Sequence, residues 1–302
     1  MRDARPGDAE AVARVWSAAA PLLVRSAARA AADIAEDAVL GRRRWVAELD
    51  GVVVGTASVR DDIGPDRTEH DVKLSVEVHP DAGSRGVGTA LITAALASLA
   101  SEAGEITAVC NDDPIALAFA VRNNFVPDGE HRVASVDPHD VPDPGLPPPG
   151  LRASTLAVLG PEPVRLAYNA AAGDDPSRMS RPQDAEHFRK DWWESPDHAP
   201  DLSWALVDES GPAPVVAAFT TVNVDRAARR AWTSMTATRA DLRDRGLARW
   251  VKQKTMRSLA DVGISVALTA NDATNAAMIA VNDSLGYHEA GRLIRVVRRV
   301  LR

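Results

Sequence analysis

A chain of 302 residues has room for about two domains, each long enough to bury a core. Its 45% hydrophobic and 25% charged residues are the proportions of a folded protein, which excludes disorder as the default. A formal net charge of −7 argues against nucleic acid or an anionic membrane as the main partner, and the single cysteine, Cys110, excludes an internal disulfide framework.

The opening MRDARPGDAE lacks the apolar core of a signal peptide and no apolar run is long enough to span a bilayer, so a cytoplasmic location is expected. Arg2 to Ala4 forms a short predicted strand, and Pro6-Gly7-Asp8 turns into an Ala-rich helix whose Val12, Val15 and Trp16 share a face. A second helical stretch covers roughly Val24 to Leu40. Arg44 to Leu49 and Val52 to Val59 are predicted strands joined by Asp50-Gly51, a dipeptide that suits a tight hairpin turn. Asp71 to His79 alternates as a strand at Val72, Leu74, Val76 and Val78, and Pro80 ends it. The turn Gly83-Ser84-Arg85-Gly86-Val87-Gly88 follows. A helix from Thr89 to about Ala100, a strand from Ile106 to Cys110, a loop at Asn111 to Pro114 and a short helix from Ala116 to Arg122 complete the series.

Prolines in DPHDVPDPGLPPPG, residues 137–150, forbid helix and central strand, so this run is expected to be a semi-rigid linker between a domain at 1–140 and one at 151–302. Beyond it the order of elements recurs. Trp204 with Gly211 answers Trp45 with Gly51, and a constant offset of 160 then links Gly86 to Gly246, Leu99 to Leu259 and Asn111-Asp112 to Asn271-Asp272. One offset held across strand, turn, helix and strand indicates a tandem duplication of an α/β unit with a mixed sheet.

In the second copy Thr236 to Thr238 lie on a strand, and Arg243-Asp244-Arg245-Gly246-Leu247-Ala248 bends into an apolar-periodic helix through Trp250 and Val251. First-turn N–H groups lack intrahelical partners and sit at the positive end of the helix dipole, so this bend suits an anion. Gly246 and Ala248 keep side-chain bulk away, and Arg243 and Arg245 can add charge-assisted bonds to phosphate oxygens. A pyrophosphate cradle is expected there.

The spelling R-x-x-G-x-A after a strand resembles the acyl-CoA signature of the GNAT N-acetyltransferase superfamily. The order of elements resembles that fold twice over, best from Trp45 to Phe125 and from Trp204 to Tyr287, as in two-unit acetyltransferases such as mycothiol synthases. The resemblance implies two tandem GNAT domains binding acetyl-CoA, with direct attack by a primary amine of a small molecule and no covalent enzyme intermediate. It also implies that Val78, Thr236 and Thr238 bond the pantetheine arm through their backbone, as part of strand segments 76–78 and 236–238. The diphosphate is then expected on Ser84, Arg85, Gly86, Val87 and Gly88, and on Asp244 to Ala248 with Arg243. Asn111 and Asn271, with Asn275 of the T-x-N-x-x-x-N run beginning at Thr269, are candidates to bond pantetheine amides. A backbone N–H on the long strand is expected to stabilise the thioester oxyanion, where one donor contributes about 3 kcal/mol.

Both copies depart from the family pattern. Gly83 stands where the first turn would carry Arg or Gln, Asn282 takes the place of the tyrosine acid in the second copy, and Val72 and Trp232 occupy the positions of a glutamate base. Glu77 remains as a candidate base, weighed against a solvent-facing strand residue. Asp191, Trp192 and Glu194 form an acidic-aromatic cluster able to cage a cationic amine, weighed against a helix that uses its tryptophans for core. Arg42-Arg43-Arg44 suit a strand edge or the CoA 3′-phosphate. Neither histidine nor cysteine spacing suggests a metal. The competing expectations are a non-catalytic acyl-CoA binder and an aminoglycoside-type acetyltransferase, and the oligomeric state stays open.

Overall fold

The computed structural model describes residues 1–40, 42–62, 70–99, 103–174 and 180–299, with Asp61, Asp62, His70 and Ala103 described by backbone only. Ala100, the expected end of a helix, and the side chain of His70 lie outside the described residues. The first repeat runs β1 (Arg2–Asp3), α1 (Ala9–Ala19), α2 (Ala27–Val39), β2 (Arg44–Leu49), β3 (Val52–Asp62), β4 (His70–Val78), α3 (Val87–Ala97), β5 (Ala103–Asn111), α4 (Pro114–Arg122) and β6 (Val126–Val136). The second runs β7 (Leu151–Thr155), α5 (Leu156–Leu159), α6 (Pro161–Ala172), α7 (Ala185–His187), a π-helical turn (Phe188–Trp193), β8 (Trp204–Asp208), β9 (Val215–Asp225), β10 (Arg230–Thr238), α8 (Leu247–Asp261), β11 (Val266–Asp272), α9 (Ala276–Asp283) and β12 (His288–Arg299).

Two compact units divide the chain, Met1–His131 with Gly291–Arg302, and Arg132–Ala290. The division therefore falls ahead of the proline-rich run. That run belongs to the second unit, where Trp250 Nε1 donates to Leu146 O at 3.1 Å, Gln253 Nε2 donates to Pro142 O at 3.2 Å, and Val141 is buried. It is a strap along α8, held because its carbonyls satisfy donors that the helix would otherwise bury.

In the first unit the strands lie in the order β1-β2-β3-β4-β5-β12. Asp50 and Gly51 turn β2 into β3 with φ of 52° and 79°, the pair of positive angles that a two-residue hairpin turn needs. Ser26 accepts from Arg29 N at 3.1 Å, so α2 begins at Ala27 rather than near Val24. On one face α3 buries Val87, Leu91 and Ile92 against Ala57, Leu74 and Ile106. A Cβ on Gly55 would come within 2.9 Å of Leu91 Cδ1 and Val87 Cγ1, so this glycine sets how close α3 lies. On the other face α1 and α2 bury Val12, Trp16, Ala30 and Ile34 against Val46. Arg44 faces the helices as well, and corrects the surface expectation for the arginine run. It is 5% exposed and its Nε lies 2.9 Å from Asp37 Oδ2, because the two helix carboxylates at Asp33 and Asp37 need a cation beneath them.

The second unit has the order β7-β8-β9-β10-β11-β6. α8 covers one face, with Met256 and Leu259 against Val222, Ala231 and Ala267, and Leu247, Trp250 and Val251 against Leu206, Ala217 and Ala218. The opposite face carries Phe219, Met235 and Ala237 under Tyr168, Phe188 and the tryptophans 192 and 193. One strand differs between the repeats. β4 pairs with β3 in unbroken register from Asp71 to Val78, whereas β10 shifts register against β9 between Thr233 and Met235, leaving Ser234 as an extra residue. Such a bulge bends the strand and leaves ladder groups unpaired.

Candidate functional site

Each repeat contains a cleft made by two parallel strands that part company. β4 pairs with β5 only as far as Lys73 and Thr107, and β10 with β11 only as far as Thr233 and Thr269. Beyond these pairs, Leu74–Val78 and Ser234–Thr238 have no strand partner on the cleft side among the described residues, so their backbone donors and acceptors face the gap. The chain then returns through a short 3₁₀ turn into α3 or α8.

The returning turns share one backbone conformation. Ser84 and Gly86 have φ of 58° and 80°, and Asp244 and Gly246 have φ of 61° and 75°. A second left-handed residue two positions after the first curls the N–H groups inward, and no side chain caps either helix start. A Cβ on Gly86 or Gly246 would touch nothing within 4 Å, so both are glycine for their φ and not for space. Ser84, Arg85, Asp244 and Arg245 are exposed around bare first-turn donors at Val87, Gly88, Leu247 and Ala248, an arrangement that fits a diphosphate. Gly88 is different: its Cβ would come within 3.2 Å of the Phe119 ring, so this glycine brings α4 close.

Arg243 is present but already engaged. Its guanidinium pairs with Asp174 and its Nε lies 3.4 Å from Thr238 O. Thr236 Oγ1 meets Thr220 Oγ1 at 2.9 Å, while Thr238 Oγ1 is buried with no hydrogen-bond partner among the described residues. Val78 packs in the apolar cluster under α3, leaving only its backbone to face a ligand.

The asparagines divide by role. Asn271 Oδ1 accepts from Asn282 Nδ2 at 2.6 Å, so these two form one unit at the exit of β11. Asn282 is 2% exposed and orients its neighbour; it is an amide in the place of a proton donor, and supplies no acid. Asn275 caps α9 by accepting from Met278 N at 3.2 Å, a structural use of its side chain. Asn111 Nδ2 donates to Ala19 O at 2.9 Å, tying the end of β5 to the end of α1.

Glu77 is neither a solvent-facing residue nor an open base. Its Oε1 accepts from Arg25 Nη1 at 2.9 Å and from Ser75 Oγ at 2.7 Å, and Arg25 stacks 4.5 Å over the Trp16 ring. The acidic-aromatic cluster does not close into a cage. Trp192 stacks on Tyr168 at 5.0 Å and on Phe188 at 5.5 Å, while Asp191 and Glu194 are exposed and Glu194 pairs with Arg189. The helix spends the ring on core, as its apolar neighbours demand.

Two residues buried on opposite faces of the second sheet carried no sequence signal. His198 packs on the Trp193 ring at 5.2 Å. Its Nδ1 lies 3.1 Å from Trp193 O, which can only accept, so Nε2 holds the lone pair and accepts from Thr221 Oγ1 at 3.0 Å. Burial pushes this imidazole below its ordinary range. Thr221 pairs with Met235, the residue after the bulge. On the other face Lys252 is 1% exposed, with its ammonium 5.0 Å from the Tyr287 ring centroid. Among the described residues no group of His, Cys, Asp and Glu is placed to hold a metal, and no helix is long and apolar enough to cross a membrane.

Residues 14–125 match the model of the Acetyltransferase (GNAT) family. A mycothiol acetyltransferase of Parafrankia sp. (strain EAN1pec) is 37% identical over 152 residues, covering 47% of this chain and 44% of that protein, so the match spans under half of the relative's length. A GCN5-related N-acetyltransferase of Sphaerobacter thermophilus superposes with a TM-score of 0.70 at 19% identity, over 99% of this chain and 94% of that one. A tandem GNAT protein from the clavulanic acid biosynthesis pathway superposes with a TM-score of 0.61 at 22% identity, over 85% of this chain and 82% of that one. Residues 14–125 are thus similar to the acetyltransferase (GNAT) family, and the two repeats together have the fold of these solved GNAT structures.

Proposed function

We propose that the chain is an acetyl-CoA-dependent N-acetyltransferase that acetylates a primary amine of a small molecule, with the chemistry in the second unit. The bulge at Ser234, set in a splayed strand beside a bare helix start, carries this reading. Acetyl-CoA would lie with its diphosphate on Asp244 to Ala248 and its pantetheine along Ser234 to Thr238. Bound there, it supplies an acyl thioester. An unpaired N–H at the bulge then faces the charge that develops on the thioester oxygen, worth about 3 kcal/mol for one well-aimed donor. His198, held neutral by burial and oriented by Trp193 O, takes the proton of the attacking amine through Thr221.

Calorimetry with acetyl-CoA and thiol release against a panel of amines test this together. Gly246→Val closes the left-handed conformation to the cradle and is expected to weaken acetyl-CoA binding at least about tenfold. Binding of that variant equal to that of the unmodified chain would refute the assignment. For the first unit a second reading has its own support: acyl-CoA binding without turnover, because Glu77 is spent on Arg25 and β4 keeps unbroken register against β3 through the segment that faces the cleft. Gly86→Val then lowers the number of acetyl-CoA bound per chain and leaves thiol release unchanged.

A further inference from the structure

Lys252 is the largest charged side chain among the fully buried residues, and no carboxylate lies within ion-pair distance of it among the described residues. A buried cation without a counter-ion is costly, so its persistence calls for an anion that arrives from elsewhere. Its place on α8 says where. Ala248, Lys252, Met256 and Leu259 form one stripe, with Ala248 in the cradle and the last two on Ala231 and Ala267. Thr238 lies at the level of Ala218, and so of Leu247 and Val251, while Ala231 lies at the level of Leu259; α8 therefore runs back along β10. Lys252, one turn nearer the cradle than Met256, stands level with Thr233 and Thr269, where the two strands part. Helical side chains lean toward their N-terminus, which points the Lys252 stem at the floor of the cleft. Packed on Lys252 is the titratable ring of Tyr287, whose hydroxyl meets Met256 Sδ at 3.5 Å and which burial keeps neutral.

We propose that Lys252 is the proton donor to the departing thiolate of coenzyme A, the role that Asn282 does not fill. The proposal rests on the acetyltransfer reading of the second unit. As the amine nitrogen bonds to the carbonyl carbon, the carbon–sulfur bond breaks and its electron pair stays on sulfur. Lys252 gives that sulfur a proton, while the proton of the amine leaves toward His198 on the opposite face of the sheet. His198 releases it to solvent, and Lys252 is reprotonated from solvent after the products depart. Burial lowers the ammonium to about 7, which makes the transfer to a thiolate favourable near neutral pH.

Lys252→Met keeps the volume and removes the charge, so the variant is expected to fold. Two measurements test it. First, coenzyme A bound to the unmodified protein is titrated by the ultraviolet absorbance of its thiolate, with Gly86→Val as background to restrict binding to the second unit. The bound thiol is expected to ionise at least about tenfold more readily than in Lys252→Met. Second, acetyl transfer from acetyl-CoA is expected to fall about 100-fold in Lys252→Met, and the deficit to shrink below about threefold with an acetyl thioester of a more acidic thiol. An unchanged thiol titration, or a deficit equal for both acyl donors, overturns the proposal. If the unmodified protein acetylates no amine, the acetyltransfer reading fails while the thiol titration still decides whether Lys252 faces the sulfur. Should Lys252→Met melt before it can be titrated, Lys252→Gln takes its place in both measurements.

Discussion

Single buried charges carry the sharpest consequences for stability. The folded protein holds Lys252 at about 7 against an ordinary 10.5, so between these values the unfolded chain binds a proton that the folded one lacks. Stability therefore rises with pH across that window, by at most about 1.4 kcal/mol per pH unit, and reaches its low plateau below pH 7. Lys252→Met is expected to lose this slope and to unfold at higher denaturant at neutral pH, which a set of urea curves at stepped pH would check. Arg44 is the opposite case. Its removal leaves Asp37, 4% exposed at the side chain, to the more distant Arg60, whose Nε lies 3.8 Å away, and Arg44→Met is expected to cost about 3 kcal/mol. A denaturation midpoint that does not move in Arg44→Met would show that the carboxylates repair themselves through Arg60. Neither Lys252 nor His198 stood out among the letters, because their chemistry comes from the faces they occupy. Lys252 sits in a helix that otherwise reads as ordinary, and His198 is oriented by a backbone carbonyl five residues earlier.

At the scale of elements, the chain advertised itself well. The strand–turn–helix order, the Asp50-Gly51 hairpin and the constant spacing between Gly86 and Gly246 depend on local backbone chemistry, which residue types report directly. The two turns with matching positive φ follow from such local signals. What stayed hidden was the packing between elements. The bulge at Ser234 is invisible in the alternation of Trp232, Ser234 and Thr236, because register is decided by the neighbouring strand. Trp192 had two uses open to it until Tyr168 and Phe188 claimed the ring. Close packing also predicts a sensitive glycine. Gly55→Ala places a methyl 2.9 Å from Leu91 and Val87, and overpacking of this kind is expected to destabilise by about 1–3 kcal/mol. Thermal melting of that variant is the check, and an unaltered midpoint would mean that α3 can slide.

Across the whole molecule the duplication was legible and the exchange of final strands was not. Repeats announce themselves by spacing, whereas nothing in β6 or β12 says which β5 or β11 it will join. Leu293 to Arg299 pair with Asn111 to Glu105, so the first sheet is completed by residues from the far end of the chain. A chain shortened after Ala290 is expected to present the β5 edge bare and to aggregate, as light scattering of the purified fragment would reveal.

The exchanged strand also sets an order of events in the cell. A ribosome that has finished β5 must still translate the entire second repeat before β12 emerges. At ordinary elongation rates that delay lasts roughly ten to forty seconds. Throughout it the nascent first half carries an open flank, and a holding chaperone is the natural guardian of that interval.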